Sequence, residues 1–518
     1  MTRRDFLLKA GRYGGATFSA MTALGLMSRA TGRGAELTGL PGVAGKAGNK
    51  VVILGAGIAG LTAAYELGKL GFECTVLEPS QRAGGRSLTI RRGDKLTDTA
   101  GHSQTCEFDE GHYFNAGPAR FPQWQITMDY CRELGVAVEP FINANESAYY
   151  FNEGVPGALS GKRIRQREAK ADLRGYNASL LAKAISQDKL DQPFTAEDKE
   201  LMLDFLRREG DLNPDTLAYS GSTRRGFKVW PSVASKGEVD PANEMLALLQ
   251  ANYIAHLHRN NEYEYQGTLF QPVGGMDMLA KALYAKVKDV VRFGCEAKEI
   301  RKGPAGARIV YTEDGETKEF TAPYAIVTIP PTMLRGIPND FAPLVKNTLN
   351  IVPFQGSARI GLQFKRRFWE EDDRIYGGIT WTNQPINEIY YPSHGYMQKK
   401  GLLIGYYMFG PASDELAAKT PAERIEYALT QGEKIHPQYR AEFEHAFSVN
   451  WNTVPYIKGC LSHFPDRLVK TLYPLITKAD GPLYLAGDWA SHLGGWQAGA
   501  FESARHVTKL LHERVMAA

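Results

Sequence analysis

The stretch VVILGAGIAGLTAAYELGKLGFECTVLE, Val51 to Glu78, restricts what this chain can fold into more than any other. It opens with a short apolar run suited to a buried parallel strand, turns at Gly55, Gly57 and Gly60, and continues in a helical pattern. The glycines have separable tasks: Gly55 makes the tight turn, Gly57 lets backbone approach a pyrophosphate, and Gly60 lets the helix pack closely on the strand. The helix N-terminus then presents unpaired amides and a positive dipole end to the phosphates. A second apolar run, CTVLE, ends at Glu78. An acid roughly twenty residues after the first glycine is placed for a ribose hydroxyl. The order strand, glycines, helix, strand, acid predicts a dinucleotide-binding unit, with NAD and FAD both left open by the spacing.

At 518 residues the chain is too long for one simple core, so two or more domains are expected. The formal net charge is only +4 and no dense basic run is interleaved with aromatics, so nucleic acid is not indicated as a partner. Five scattered cysteines, Cys74, Cys106, Cys131, Cys295 and Cys460, form no CxxC and no metal-ligand spacing. Neither a disulfide framework nor a metal site is expected.

Residues 1–30 read as an address. TRRDFLLK carries Arg3 and Arg4 ahead of Phe6 and Leu7, and ATFSAMTALGLM follows. This resembles a twin-arginine export signal, with the apolar run short of the roughly 20 residues that span a bilayer. Export to the periplasm or medium is expected, or a cytoplasmic protein if the signal is not used. No other segment reads as a membrane span.

Two further stretches separate FAD from NAD: PSQRAGGRSLT, just after Glu78, and PLYLAGDWASHLGGWQAGAFESARHV, near the far end. Together with the glycine cradle, QPVGGMDMLAKAL and YAIVTIPP, they resemble the flavin-containing amine oxidase superfamily from about Lys50 to Val507. The resemblance implies FAD, with Arg86 beside its phosphates and Asp488 at its ribityl-pyrophosphate region. It also carries over Gly85, Gly117, Arg120, Val273 and Trp496 as cofactor contacts.

The fold expected is α/β: a discontinuous doubly wound FAD-binding domain, an α+β substrate domain and a helical insertion. Residues 31–49 are a linker. Residues 50–118, 263–325 and 471–518 build the FAD domain, 119–262 a mainly helical region, and 326–470 the substrate domain. In the helical region TAEDKELMLDFLRREG shows Thr195 and Asp198 in a capping-box arrangement and places Leu201 and Phe205 four apart, as core residues. Runs such as SARIGLQF and GLLIGYYMFG suit strands.

On the substrate side, EGHYFNAGPARFP resembles the L-amino-acid oxidase segment whose arginine, here Arg120, pairs with the substrate carboxylate. The planar guanidinium forms two parallel charge-assisted bonds and keeps its charge when desolvated. A structural arginine held by an internal acid is the other reading. The resemblance makes Tyr406 a second carboxylate ligand, with Tyr407 pointing to the opposite face. It makes Trp496 an aromatic wall beside the substrate amine. It places Arg359 where the family usually carries a lysine near the flavin that assists the reaction with oxygen. No general base is identified; His492 is a histidine near the C-terminal motif without an assigned role.

The expected activity is oxidation of L-amino acids, large apolar or aromatic ones, to 2-oxo acid, ammonia and hydrogen peroxide. Arg120, Tyr406, Trp496 and Arg359 are the expected catalytic set, L-amino acid and dioxygen the expected partners, and a homodimer the expected assembly. The competing readings are an amino-acid 2-monooxygenase, a polyamine or monoamine oxidase, and a flavin-bound binding protein.

Overall fold

A computed structural model describes residues 37, 40–46, 48–190, 194–462 and 464–518. The twin-arginine segment lies outside them. Two sheets organise the rest.

The first sheet has five parallel strands, in the order Val291–Arg292, Glu73–Leu77, Lys50–Leu54, Tyr324–Val327 and Leu483–Leu485. Three distant stretches of chain therefore share it. Its two central strands are buried on both faces, which is why they read as continuous apolar runs. Helix Ile58–Lys69 packs on one face, and the C-terminal helix Gln497–Ala517 packs against it through Ala498, Phe501, Ala504 and Leu511. A three-stranded antiparallel sheet, Glu296–Gly303, Gly306–Glu313 and Glu316–Ala322, covers the other.

The second sheet has seven strands, in the order Arg163–Arg165, Tyr149–Phe151, Ile379–Thr382, Glu388–Tyr390, Gly401–Phe409, Ser357–Phe364 and Phe443–Asn450. One face packs on the Leu362, Phe368, Trp369 and Tyr439 core. The opposite face carries Tyr150, Trp381, Tyr390 and Tyr407. Ser357–Phe364 is buried along its whole length. Gly361 is required within it, because a Cβ there would lie 2.7 Å from the Phe114 ring.

The region 119–262 is less helical than its sequence suggests. Tyr149–Phe151 and Arg163–Arg165 are edge strands of the second sheet, and Val138–Phe141 pairs with Leu269–Pro272. Strand Leu269–Pro272 also pairs with Phe121–Pro122, so it belongs to a small separate sheet and not to the five-stranded one. Short strands of three or four residues carry too little alternation to be seen in sequence. Helices Gln166–Ser186 and Ala196–Gly210 pack on each other, the second opened by the Thr195–Asp198 capping box. Leu201 and Phe205 are not core residues: they are 66% and 56% exposed, on the outer face, while Leu203 and Leu206 are buried. All five cysteines are free. Among the described residues, no helix is long and apolar enough to cross a membrane.

Candidate active site

A cavity of about 970 Å³ runs along the carboxyl ends of the central strands of the first sheet, where open α/β sheets bind their ligands. Its inner wall is the glycine turn. Gly55 has φ +105°, and a Cβ would sit 2.6 Å from Thr328 Oγ1. At Gly60 a Cβ would collide with the Gly55 carbonyl oxygen, so helix and strand come together only with glycine here. At Gly57 a Cβ would meet no protein atom within 4 Å. That space borders the cavity, and the helix beginning at Ile58 has no side-chain cap, so its first amides are left for a ligand. Gly85 (φ +55°) packs against Gly57, and a Cβ on Gly117 would collide with the Arg86 carbonyl oxygen.

Glu78 lines the cavity at the end of its strand. One carboxylate oxygen accepts the Ala56 N–H at 2.7 Å, and the other accepts the Ser80 N–H at 3.0 Å and hydroxyl at 2.6 Å. Arg86 and Asp488, 402 positions apart in sequence, form an ion pair in the cavity wall. Arg86 also donates to the Cys460 carbonyl. Burial works against its charge, but Asp488 outweighs it and holds Arg86 protonated. Asp488 further accepts the Gly495 N–H at 3.0 Å. An uncapped helix start, an open glycine, an acid at the end of the next strand and a fixed arginine together suit a dinucleotide such as FAD.

Trp496 and Tyr407 line this cavity, and beside them aromatic side chains gather around Arg120 in an aromatic chamber. The Tyr265 ring lies 5.9 Å from that of Trp496, and the Arg120 guanidinium lies 5.0 Å from the Tyr265 ring. Arg120 is 8% exposed and does not line the cofactor cavity, although Gly117 and Pro118 do; its guanidinium points into the chamber, between Phe141, Tyr265 and Tyr390. It donates to the Tyr390 hydroxyl at 3.3 Å, its Nε has no partner, and no ion pair holds it among the described residues. Burial opposes its charge, but the Tyr390, Tyr265 and Tyr407 hydroxyls and Glu388 keep it protonated.

Tyr406 is misassigned by the sequence. It is fully buried on the other face of the sheet, with Leu403 and Met408, whereas Tyr407 faces the chamber with Ile404. The reason is a bulge at Gly405: Ile360 pairs with Tyr406 but Gly361 with Ile404, so one extra residue inverts the alternation along the strand. Val273 is also misassigned. It is 48% exposed in the turn after Leu269–Pro272, outside the cavity, and its N–H bonds to the Ala137 carbonyl.

Arg359 pairs with Tyr407 across two strands and lies flat beneath its ring, 3.5 Å from the centroid. It donates to the Asn115 carbonyl at 3.1 Å and to the Gly117 carbonyl, and it does not reach the cavity wall. His492 is exposed and packs on Tyr473, 4.2 Å between ring centroids. Residues not singled out from sequence, Tyr265, Arg259, Glu388 and Tyr390, complete the chamber. The alternation in NEIYYP places Glu388 and Tyr390 on one face, but nothing local says which.

The family model for flavin containing amine oxidoreductases matches residues 58–511. An L-amino-acid oxidase from Vipera ammodytes ammodytes is 26% identical over 468 residues, covering 86% of this chain and 89% of its own length. One from Protobothrops flavoviridis is 27% identical over 470 residues, covering 86% and 85%. Among solved structures, cyclohexylamine oxidase from Brevibacterium oxydans IH-35A matches with a TM-score of 0.59 at 16% identity, covering 90% of this chain and 99% of that one. A redesigned putrescine oxidase matches with a TM-score of 0.58 at 17% identity and the same coverage.

Proposed function

The chain belongs to the family of flavin containing amine oxidoreductases, and within it we propose an L-amino-acid oxidase that converts large apolar or aromatic L-amino acids, water and dioxygen to 2-oxo acid, ammonia and hydrogen peroxide. The observation that carries this reading is Arg120. A buried, protonated arginine with an unpartnered nitrogen and no ion pair, ringed by aromatic side chains, is matched to a carboxylate that arrives from outside. The L-amino-acid oxidases among the relatives support it.

FAD supplies the ring that takes up the two electrons and passes them to dioxygen. The protein supplies position. Arg120 binds the carboxylate with two parallel bonds, and the hydroxyls of Tyr390 and Tyr407, which flank it, add two further donors. That anchor fixes the α-carbon toward the stretch of cavity lined by Tyr407 and Trp496. The rings exclude water and stabilise a cationic amine on its approach. The rings of Phe141, Tyr265 and Trp381 offer aromatic surface to the substrate side chain.

The test is anaerobic exposure of the FAD-loaded protein to each of the twenty amino acids and to amines lacking a carboxylate. Bleaching of the flavin by amino acids alone is expected, with 2-oxo acid and ammonia as products in air. Bleaching by amines alone would refute the reading, and an amide with carbon dioxide would replace it by a monooxygenase.

A further inference from the structure

Glu388 is the one acid buried in the chamber that no step above uses. It is 5% exposed, one carboxylate oxygen has no hydrogen-bond partner, and no ion pair forms with it among the described residues. Strand pairing places it. Glu388 sits opposite Trp381, and two residues along the same face comes Tyr390, whose hydroxyl accepts from Arg120. Tyr407, on the next strand, faces the same side, backed by Arg359.

The groups around Glu388 are cationic. Arg120 comes from the loop before Phe121, Arg359 from Ser357–Phe364, and Arg259 from the turn that also carries Tyr265. His256, stacked on Trp381 from the preceding short helix, is kept neutral by burial and by Arg259. Three positive groups already surround one acid, so a lysine- or arginine-type substrate side chain would add charge where it is in excess. Its burial and its unpartnered oxygen instead suit Glu388 to take up a proton once a bound carboxylate offsets Arg120.

We propose that Glu388 accepts the proton that the substrate's α-ammonium must lose before its Cα–H bond can be broken. In this step an N–H bond breaks, the electron pair stays on nitrogen as the free amine, and an O–H bond forms at the unpartnered oxygen of Glu388. The proposal rests on the L-amino-acid reading above.

The electrostatics explain the timing. Burial raises the proton affinity of Glu388 to about 7, and Arg120 is the largest influence opposing that rise. A carboxylate seated on Arg120 neutralises this influence. Glu388 thus becomes more basic as the ammonium arrives beside it, and binding of any carboxylate is linked to proton uptake at Glu388. In the free enzyme at acid pH the site is already protonated and cannot serve.

Two measurements on the FAD-loaded protein test this. Calorimetric titration with 3-phenylpropanoate, a carboxylate without an amine, in buffers of different ionisation enthalpy should show proton uptake at and above neutral pH in the parent protein. In Glu388→Gln the uptake should vanish while the ligand still binds. Second, kcat/KM for L-phenylalanine at neutral pH should fall about 100-fold or more in Glu388→Gln. The deficit should shrink as alkaline pH supplies the free amine, and Glu388→Asp should recover part of it. The absence of proton uptake in the parent protein overturns the proposal even if no variant folds. So does a parental pH profile in Glu388→Gln, or a loss confined to L-lysine and L-arginine. A parent protein bleached only by amines would instead remove the L-amino-acid reading itself.

Discussion

The Arg120 guanidinium lies 3.3 Å from the Tyr390 hydroxyl and has no carboxylate partner among the described residues. On the proposed function this charge serves substrate recognition apart from cofactor binding, since Arg120 is not among the residues that line the cavity with Arg86 and Asp488. Arg120→Ala and Arg120→Lys should therefore retain FAD and lose amino-acid turnover. Removing a charge-assisted pair costs on the order of 2 to 5 kcal/mol. Lysine recovers part of the charge but not the two parallel bonds. Steady-state kcat/KM beside flavin absorbance checks this, and parental kinetics in both variants would place the carboxylate elsewhere.

Neighbouring tyrosines should behave in opposite ways. Tyr407 faces the chamber and Tyr406 the core behind it. On the proposed function, Tyr407→Phe removes a donor to the substrate carboxylate and should raise KM for amino acids with little change in Tm. Tyr406→Ala should leave KM unchanged in the folded fraction and cost about 3 to 5 kcal/mol of stability, the range for truncating a buried aromatic. Denaturant unfolding and KM for both variants decide it; a raised KM in Tyr406→Phe would contradict the facing described above.

Two glycines of one turn should also differ. Gly60→Ala sets a Cβ against the Gly55 carbonyl oxygen and should disrupt the helix–strand contact itself. Gly57 has φ −73°, which alanine adopts freely, and a Cβ there meets only the space of the cavity. Gly57→Ala should fold, with an unchanged circular dichroism spectrum, and bind FAD weakly. Equal FAD affinity in Gly57→Ala and the parent would mean that the pyrophosphate does not pass this residue.

How much of this was legible in sequence depends on how local each constraint is. The cradle from Gly55 to Glu78 is readable because each glycine answers to a contact within one strand–turn–helix unit. Arg120 stands out through the residues around it. The facing of Tyr406 is not readable, because the bulge at Gly405 exists only in its pairing with Ile360 and Gly361, more than forty positions away. Glu388, Tyr390 and Arg259 escape notice for the same reason: Glu388 and Tyr390 come from a strand of the second sheet and Arg259 from a distant turn, and only the tertiary fold sets them near Arg120. Val273 shows the reverse failure, a residue carried over from a motif into a turn that faces solvent.

Residues 1–30 should be dispensable for the chemistry. The first strand of the FAD sheet begins at Lys50, and we propose that the twin-arginine pattern is an address and not a part of the site. A protein beginning near Thr31 should be yellow and as active as the full chain. In a twin-arginine-competent host, replacing Arg3 and Arg4 by lysine should abolish export while leaving activity in the extract. Loss of FAD on truncation, or export that survives the double replacement, would refute the assignment.

Arg359 should act mainly through Tyr407. The sequence places it where the family's lysine serves the oxygen reaction, but its guanidinium lies beneath the Tyr407 ring and is tied to the Asn115 and Gly117 carbonyls, short of the cavity wall. Gly117 lines the cavity, so one arginine holds both a cavity-lining backbone segment and the Tyr407 ring. Arg359→Met keeps the length and removes the donors and the charge. The ring then loses a cation–π contact worth on the order of 2 kcal/mol when desolvated. The expected result is a higher KM for amino acids and slower anaerobic flavin reduction, exceeding any slowing of reoxidation. Stopped-flow measurement of the two half-reactions separates the cases: unchanged reduction with markedly slower reoxidation would return Arg359 to the oxygen step.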